Sequence, residues 1–137
     1  MDNGILIIAH APLASALRQG VAHVFPDRVA GVLALDVDAA TSAPDSLAAA
    51  RKLLTQFEGR PVLLLTDMMG ATPCNVARQL AAEVPARLLT GVNLPMLLRA
   101  VTYQHEPLDE LLLKALHGGT LGVMQVPVNF PSEQGQE

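Results

Sequence analysis

The stretch Gly4–Leu17, GILIIAHAPLASAL, runs from an unbroken aliphatic segment straight into a histidine and then into the first turn of a helix. From Ile5 to Ala9 there is no polar alternation, so both faces of the segment ask for burial, as in an interior strand of a parallel sheet. Beyond it Leu13, Leu17, Val21 and Val24 recur at three or four residues. Pro12 fits the first helical position, where its missing N–H costs nothing. One strand followed by one crossover helix is the repeating unit of an α/β protein, and the rest of the chain continues it.

Aliphatic runs of strand length recur at Val32–Val37, Val62–Thr66 and Leu88–Val92. Each is followed by helical apolar spacing, which predicts parallel strands joined by helical crossovers. The second helix starts near Pro44, carries Leu47, Leu54 and Phe57 on one stripe, and stops at Gly59. In the third, Thr72 reads as the N-cap and Pro73 as the first helical residue, with Val76, Leu80 and Val84 behind them. Pro95 opens a fourth helix, and Leu108 to Leu116 form a fifth, closed by Gly118 and Gly119. The segment Thr120–Val126, TLGVMQV, then reads as one more short strand. A single domain over residues 1–126 results, with 127–137, PVNFPSEQGQE, as a poorly ordered tail.

Composition narrows the setting. With three Phe, one Tyr and no Trp among 137 residues, the core has to come from Leu, Val, Ile and Ala. Nine basic against thirteen acidic residues give a net charge of -4, and no basic run could track a line of phosphates, so nucleic acid is not expected as a partner. The one cysteine, Cys74, precludes an internal disulfide and suits a reducing cytosol. Asp2 stands where a signal peptide would carry positive charge, and the apolar run that follows is too short for a membrane span. A cytoplasmic protein without direct membrane insertion is expected.

In an open parallel sheet the chemistry gathers at the carboxyl ends of the strands, near the point where strand order reverses. Three polar residues fall there: His10 after the first strand, Asp67 after the third in VLLLTDMMGATPCN, and Asn93 after the fourth in TGVNLP. If the first, third and fourth strands are neighbours, these side chains share one crevice. A carboxylate on Nδ1–H of His10 fixes the tautomer and leaves the Nε2 lone pair free, as a nucleophilic or metal-binding imidazole requires. Alone, either residue reads equally well as an ordinary strand-end group. Gly70-Ala71-Thr72 leads into a helix whose first N–H groups favour an anion, a phosphate-sized seat or simply a strand-to-helix turn. No metal cluster is expected, since His10, His23, His105 and His117 are scattered and Cys74 lies inside a helix, where it reads as a small packed residue.

These motifs together resemble the mannose-type IIA domains of the bacterial sugar phosphotransferase system. The likeness covers almost the whole chain, from ILIIAH through LLLTDMMGATPCNVA and TGVNLPML to the final strand, and the Asp-x-x-Gly-x-[Ser/Thr]-Pro-x-Asn and Gly-Val-Asn-x-Pro-Met runs carry it. The resemblance implies a doubly wound α/β domain, with helices on both faces of a mostly parallel sheet and a homodimer in which the last strand, here TLGVMQV, crosses to the partner. It implies a phosphoryl carrier that takes the group on Nε2 of His10 from the histidine phosphocarrier protein and hands it to a IIB protein. Asp67 would orient the ring, Thr72 and the backbone of Gly70 and Ala71 would hold the phosphoryl oxygens, and no cofactor is called for.

The chain departs from the family pattern at Ala11, where glycine is usual, and at Met68 and Met69, which replace a more polar or aromatic pair on the rim facing partners. No IIB domain is expected beside this one, so the acceptor would be a separate protein. Two other roles for the same histidine stay open: a regulatory module read out by its phosphorylation state, and the phosphotransfer subunit of a dihydroxyacetone kinase system. A phosphohydrolase is disfavoured, because that chemistry wants an Arg beside the nucleophile and His10 has Ala9 and Ala11.

Overall fold

The structure, a computed structural model, describes residues 2–131. In chain order the elements are β1 (Gly4–His10), α1 (Leu13–Val24), β2 (Val32–Val37), α2 (Ala43–Leu54), β3 (Val62–Thr66), α3 (Thr72–Ala81), β4 (Ala86–Thr90), α4 (Leu94–Thr102) and α5 (Leu108–Leu121). The four strands are parallel in the order β2-β1-β3-β4. The expected α/β class and the adjacency of the first, third and fourth strands both hold.

β1 is the hub. Ile5, Leu6, Ile7 and Ile8 have no exposed surface, because β1 has a strand on either side and helices above and below. Ile5, Ile7 and Ala9 face a core shared with Ala14 and Val21 of α1, Leu97 and Val101 of α4, and Leu111 and Ala115 of α5. Leu6 and Ile8 face the other core, with Leu47 and Ala50 of α2 and Val76, Ala77 and Leu80 of α3. The alternating strand thus feeds both layers, and each fully buried aliphatic side chain contributes about 1.5–3 kcal/mol. The order reverses between β1 and β3, since the chain steps outward to β2 and returns past β1, which opens the crevice at their carboxyl ends.

Several boundaries differ from the sequence expectation. Helix α1 begins at Leu13 with Pro12 as its N-cap, and α3 begins at Thr72 itself with Ala71 as N-cap, so Thr72 is a first-turn residue and not the cap. β4 ends at Thr90, because Gly91 turns at φ 78° and the amides of Gly91 and Val92 donate back to the carbonyls of Asp67 and Thr66.

The larger correction is at the C-terminus. α5 does not stop at Gly118 and Gly119 but continues to Leu121. The two glycines mark a close crossing with α4: a Cβ on Gly118 would sit 2.7 Å from Arg99 Cβ, and one on Gly119 2.7 Å from Met96 Cε. Thr120 and Leu121 are therefore helical, and no strand forms over Thr120–Val126 within this chain. Residues 123–131 have no regular structure, and Val123, Met124, Val126, Val128 and Phe130 are between 68% and 81% exposed. A strand requires an edge to pair with, and this segment lies on none in the single chain. Of the expected tail, 127–131 belongs to this exposed segment and 132–137 lies outside the described residues.

Candidate functional site

His10 is the last residue of β1, and Asp67 follows the last residue of β3. The parallel register pairs Ile8 with Thr66, which brings the two strand ends side by side. His10 Nδ1 lies 2.6 Å from Asp67 Oδ2, and the backbone N–H of His10 donates to the same oxygen at 3.1 Å. The other oxygen, Oδ1, accepts from Met68 N at 3.0 Å. Burial pushes the Asp67 carboxyl upward, but the ring and backbone hydrogen bonds from His10 and the attraction of a charged imidazole outweigh it and hold the group below its ordinary value. An ionised carboxylate can only accept, so a neutral His10 carries its proton on Nδ1 and its lone pair on Nε2. The His10 side chain is 51% exposed while that of Asp67 is 12% exposed: the ring faces outward on a sheltered anchor.

Beside the ring, a cavity of about 290 Å³ is lined by His10, Val37, Asp38, Ala39, Thr41 and Thr72. Thr72 shares this space with His10, as expected. The turn before it depends on Gly70, whose φ of 82° lies in the left-handed region, where a side chain would be strained. The helix starts at this end of the sheet differ in what occupies them. At α2, Ser42 accepts from Asp45 N; at α4, Asn93 Oδ1 accepts from Met96 N. At α1, a carboxylate of β2, Asp36, accepts from Ser15 N. At α3 the N-cap is Ala71, which makes no side-chain cap bond. The α3 start, next to His10, therefore keeps its N–H groups and dipole available to an outside anion.

Asn93 is placed otherwise than expected. Its Oδ1 caps α4 and its Nδ2 donates to the Gly119 carbonyl in α5 at 3.1 Å, so its side chain serves the α4–α5 contact and does not join His10. Its loop still supports the site through the backbone, where Gly91 N donates to the Asp67 carbonyl at 3.2 Å. Cys74 is buried and packed. Asp36, Ser15, Asp38 and Thr41 escape the sequence reading. A charge inside the otherwise aliphatic VLALDV was the available signal for Asp36.

His23 in α1, His105 in the turn after α4 and His117 in α5 are exposed, and among the described residues His10 is the histidine with a carboxylate partner. Among those residues no group of three or more His, Cys, Asp or Glu side chains could hold a metal ion, and no helix is long and apolar enough to cross a membrane.

The geometry agrees with comparison to known proteins. Residues 4–116 match the family EIIA-man, described as the PTS system fructose IIA component. The chain belongs to this family. It is a IIA component of a sugar phosphotransferase system. Among solved structures, this IIA component resembles a mannose/sorbose-specific IIA subunit from Enterococcus faecalis, with 23% identity, 96% of this chain and all of that one covered, and a TM-score of 0.86. It also resembles a phosphotransferase system component EIIA from Streptococcus agalactiae, at 26% identity, 89% and 95% coverage and a TM-score of 0.80. A third likeness is to a IIA protein associated with the fucose utilization operon of Streptococcus pneumoniae, at 19% identity, 91% and 93% coverage and a TM-score of 0.76. All three share the α/β architecture described above.

Proposed function

We propose that this IIA component is a cytoplasmic phosphoryl carrier in which His10 Nε2 accepts the group from the histidine phosphocarrier protein and passes it to a separate IIB protein. The observation that carries this reading is the 2.6 Å contact between His10 Nδ1 and Asp67 Oδ2 on an exposed ring. Nε2 attacks the phosphorus in line with the donor imidazole; the new N–P bond forms as the donor's breaks, and Nδ1 keeps its proton throughout. The ring gains positive character as its lone pair is used, and the Asp67 carboxylate offsets that charge. Because the transition state is loose, alignment and donors around the equatorial oxygens supply most of what is needed. The backbone of Gly70 and Ala71, the Thr72 hydroxyl and the uncapped start of α3 are suited to that task.

The same reading includes a homodimer. The apolar side chains of 123–131 are left uncovered in a single chain. Pairing this segment along a sheet edge of a second copy would satisfy its backbone and cover its side chains.

The test is phosphorylation by phosphoenolpyruvate, enzyme I and the phosphocarrier, read by intact mass. The wild type should gain one phosphoryl group and His10→Ala none, with an unchanged circular dichroism spectrum. A phosphorylated His10→Ala protein would move the site to another residue and overturn the assignment.

A further inference from the structure

We propose that Asp36 is a positioning residue for His10: its carboxylate closes the start of α1 from the neighbouring strand and so fixes the short link through which the His10 ring is held against Asp67. The inference builds on the phosphocarrier reading for its consequence in catalysis, but its geometric claim concerns this chain alone.

Only Ala11 and Pro12 separate His10 from α1, so any shift of the first turn of that helix is passed to the strand end. A helix start is normally steadied by an oxygen on the N-cap side chain. Here the N-cap is Pro12, which has none to offer. Asp36 of β2 takes over at long range: its Oδ1 accepts from Ser15 N at 3.0 Å and its Oδ2 accepts from the Ser15 hydroxyl at 2.5 Å. The next residue of β2 grips the link directly, because Ala11 N donates to the Val37 carbonyl at 3.0 Å. On the opposite side of β1, Asp67 holds the His10 backbone N–H at 3.1 Å. The link from His10 into α1 is thus held from both sides of β1, by Asp67 just after β3 at its His10 end and by Asp36 of β2 at Ser15 in α1.

A half-buried carboxylate among the aliphatic residues of VLALDV is costly unless its bonds repay the desolvation. Its partners here lie wholly in the first turn of α1. The charge also occupies the positive end of that helix, so of the helices that follow β1 and β3 only α3 remains open to a phosphoryl group.

The measurement is the His10 tautomer ratio, Nδ1–H against Nε2–H, by NMR of imidazole-labelled protein, together with the rate of phosphoryl acceptance from the phosphocarrier. Wild type should hold the Nδ1–H form. In Asp36→Ala the ratio should fall by about threefold or more as the ring loosens from Asp67, and acceptance should slow by roughly ten- to a hundredfold. Asp36→Asn, which keeps an acceptor for Ser15 N, should recover most of both. If Asp36→Ala does not fold, Ser15→Ala removes one of the two bonds and should shift the ratio in the same direction. A folded Asp36→Ala, or in its place Ser15→Ala, with the wild-type ratio overturns the proposal. A fallen ratio in a protein whose wild type accepts no phosphoryl group would leave Asp36 as the positioning residue and refute the phosphocarrier reading instead.

Discussion

One oxygen of Asp67 accepts twice from the same residue: Oδ2 takes the His10 ring proton at 2.6 Å and the His10 backbone proton at 3.1 Å. Ring and main chain are thereby locked in one orientation, and the direction of Nε2 follows. Asp67→Asn keeps the shape but removes the charge that strengthens both bonds. Phosphoryl acceptance should slow by roughly ten- to a hundredfold without being lost, as read by rapid-quench transfer from the phosphocarrier. A wild-type rate would show that the carboxylate only shapes the turn.

The same bonds predict acid sensitivity. The folded-state pKa of Asp67 is depressed, so its contribution to stability is fully present above the unfolded value of roughly 3.9 and is lost as pH falls through the lower folded value. Urea unfolding midpoints taken downward from pH 5 should decline less steeply in Asp67→Asn than in wild type. Identical slopes in the two proteins would remove Asp67 from the linkage.

Thr66, beside it, poses the opposite case. Its hydroxyl is fully buried and has no hydrogen-bond partner among the described residues. Thr66→Val replaces it by a methyl group of similar size and should raise stability by about 1 kcal/mol, or roughly 3–5 °C in melting temperature. Differential scanning calorimetry decides the matter: a lower melting temperature would mean that the hydroxyl is satisfied in solution.

Gly118 tests the α4–α5 crossing. Its absent Cβ would lie 2.7 Å from Arg99 Cβ and 3.1 Å from the Pro95 carbonyl, which is backbone and cannot swing aside. Gly118→Val should cost about 2 kcal/mol or more by overpacking and lower the melting point by roughly 6–12 °C. A thermal melt matching wild type would show that the helices part cheaply.

Ending the chain after Gly122 removes the exposed apolar segment and leaves every described element whole. The proposed homodimer predicts that the full chain scatters light as a dimer and that the truncated protein, while melting close to wild type, scatters as a monomer. A dimeric truncation would place the interface elsewhere.

These elements differ in how far the sequence discloses them. β1 and β3 are legible because strands buried on both faces are aliphatic throughout, β2 because its edge position still leaves a mostly aliphatic run around Asp36, and His10 and Asp67 because a polar residue that follows such a run stands out. Gly118 and Gly119 misled for a physical reason. Glycine ends helices where the backbone must turn left-handed, but it also sits inside helices that pack closely, and only the position of α4 tells the two apart. Thr72 looked like a cap because its type suits one, whereas the helix starts a residue earlier than that role allows. The Asn93 side chain is spent on Met96 and Gly119, a contact visible only once α5 lies against α4.

Because β1 is central and β3 pairs with it across more than fifty intervening residues, the His10–Asp67 pair depends on the order in which the chain is made. His10 leaves the ribosome early, yet its ring has no tautomer imposed on it until β3 has emerged and zipped alongside. A nascent chain, a proteolytic fragment ending before Asp67, or a partly opened molecule would present a histidine whose proton exchanges between its two ring nitrogens. On the phosphocarrier reading, fast phosphoryl acceptance therefore requires a completed sheet, and unfinished molecules would compete poorly for the phosphorylated pool.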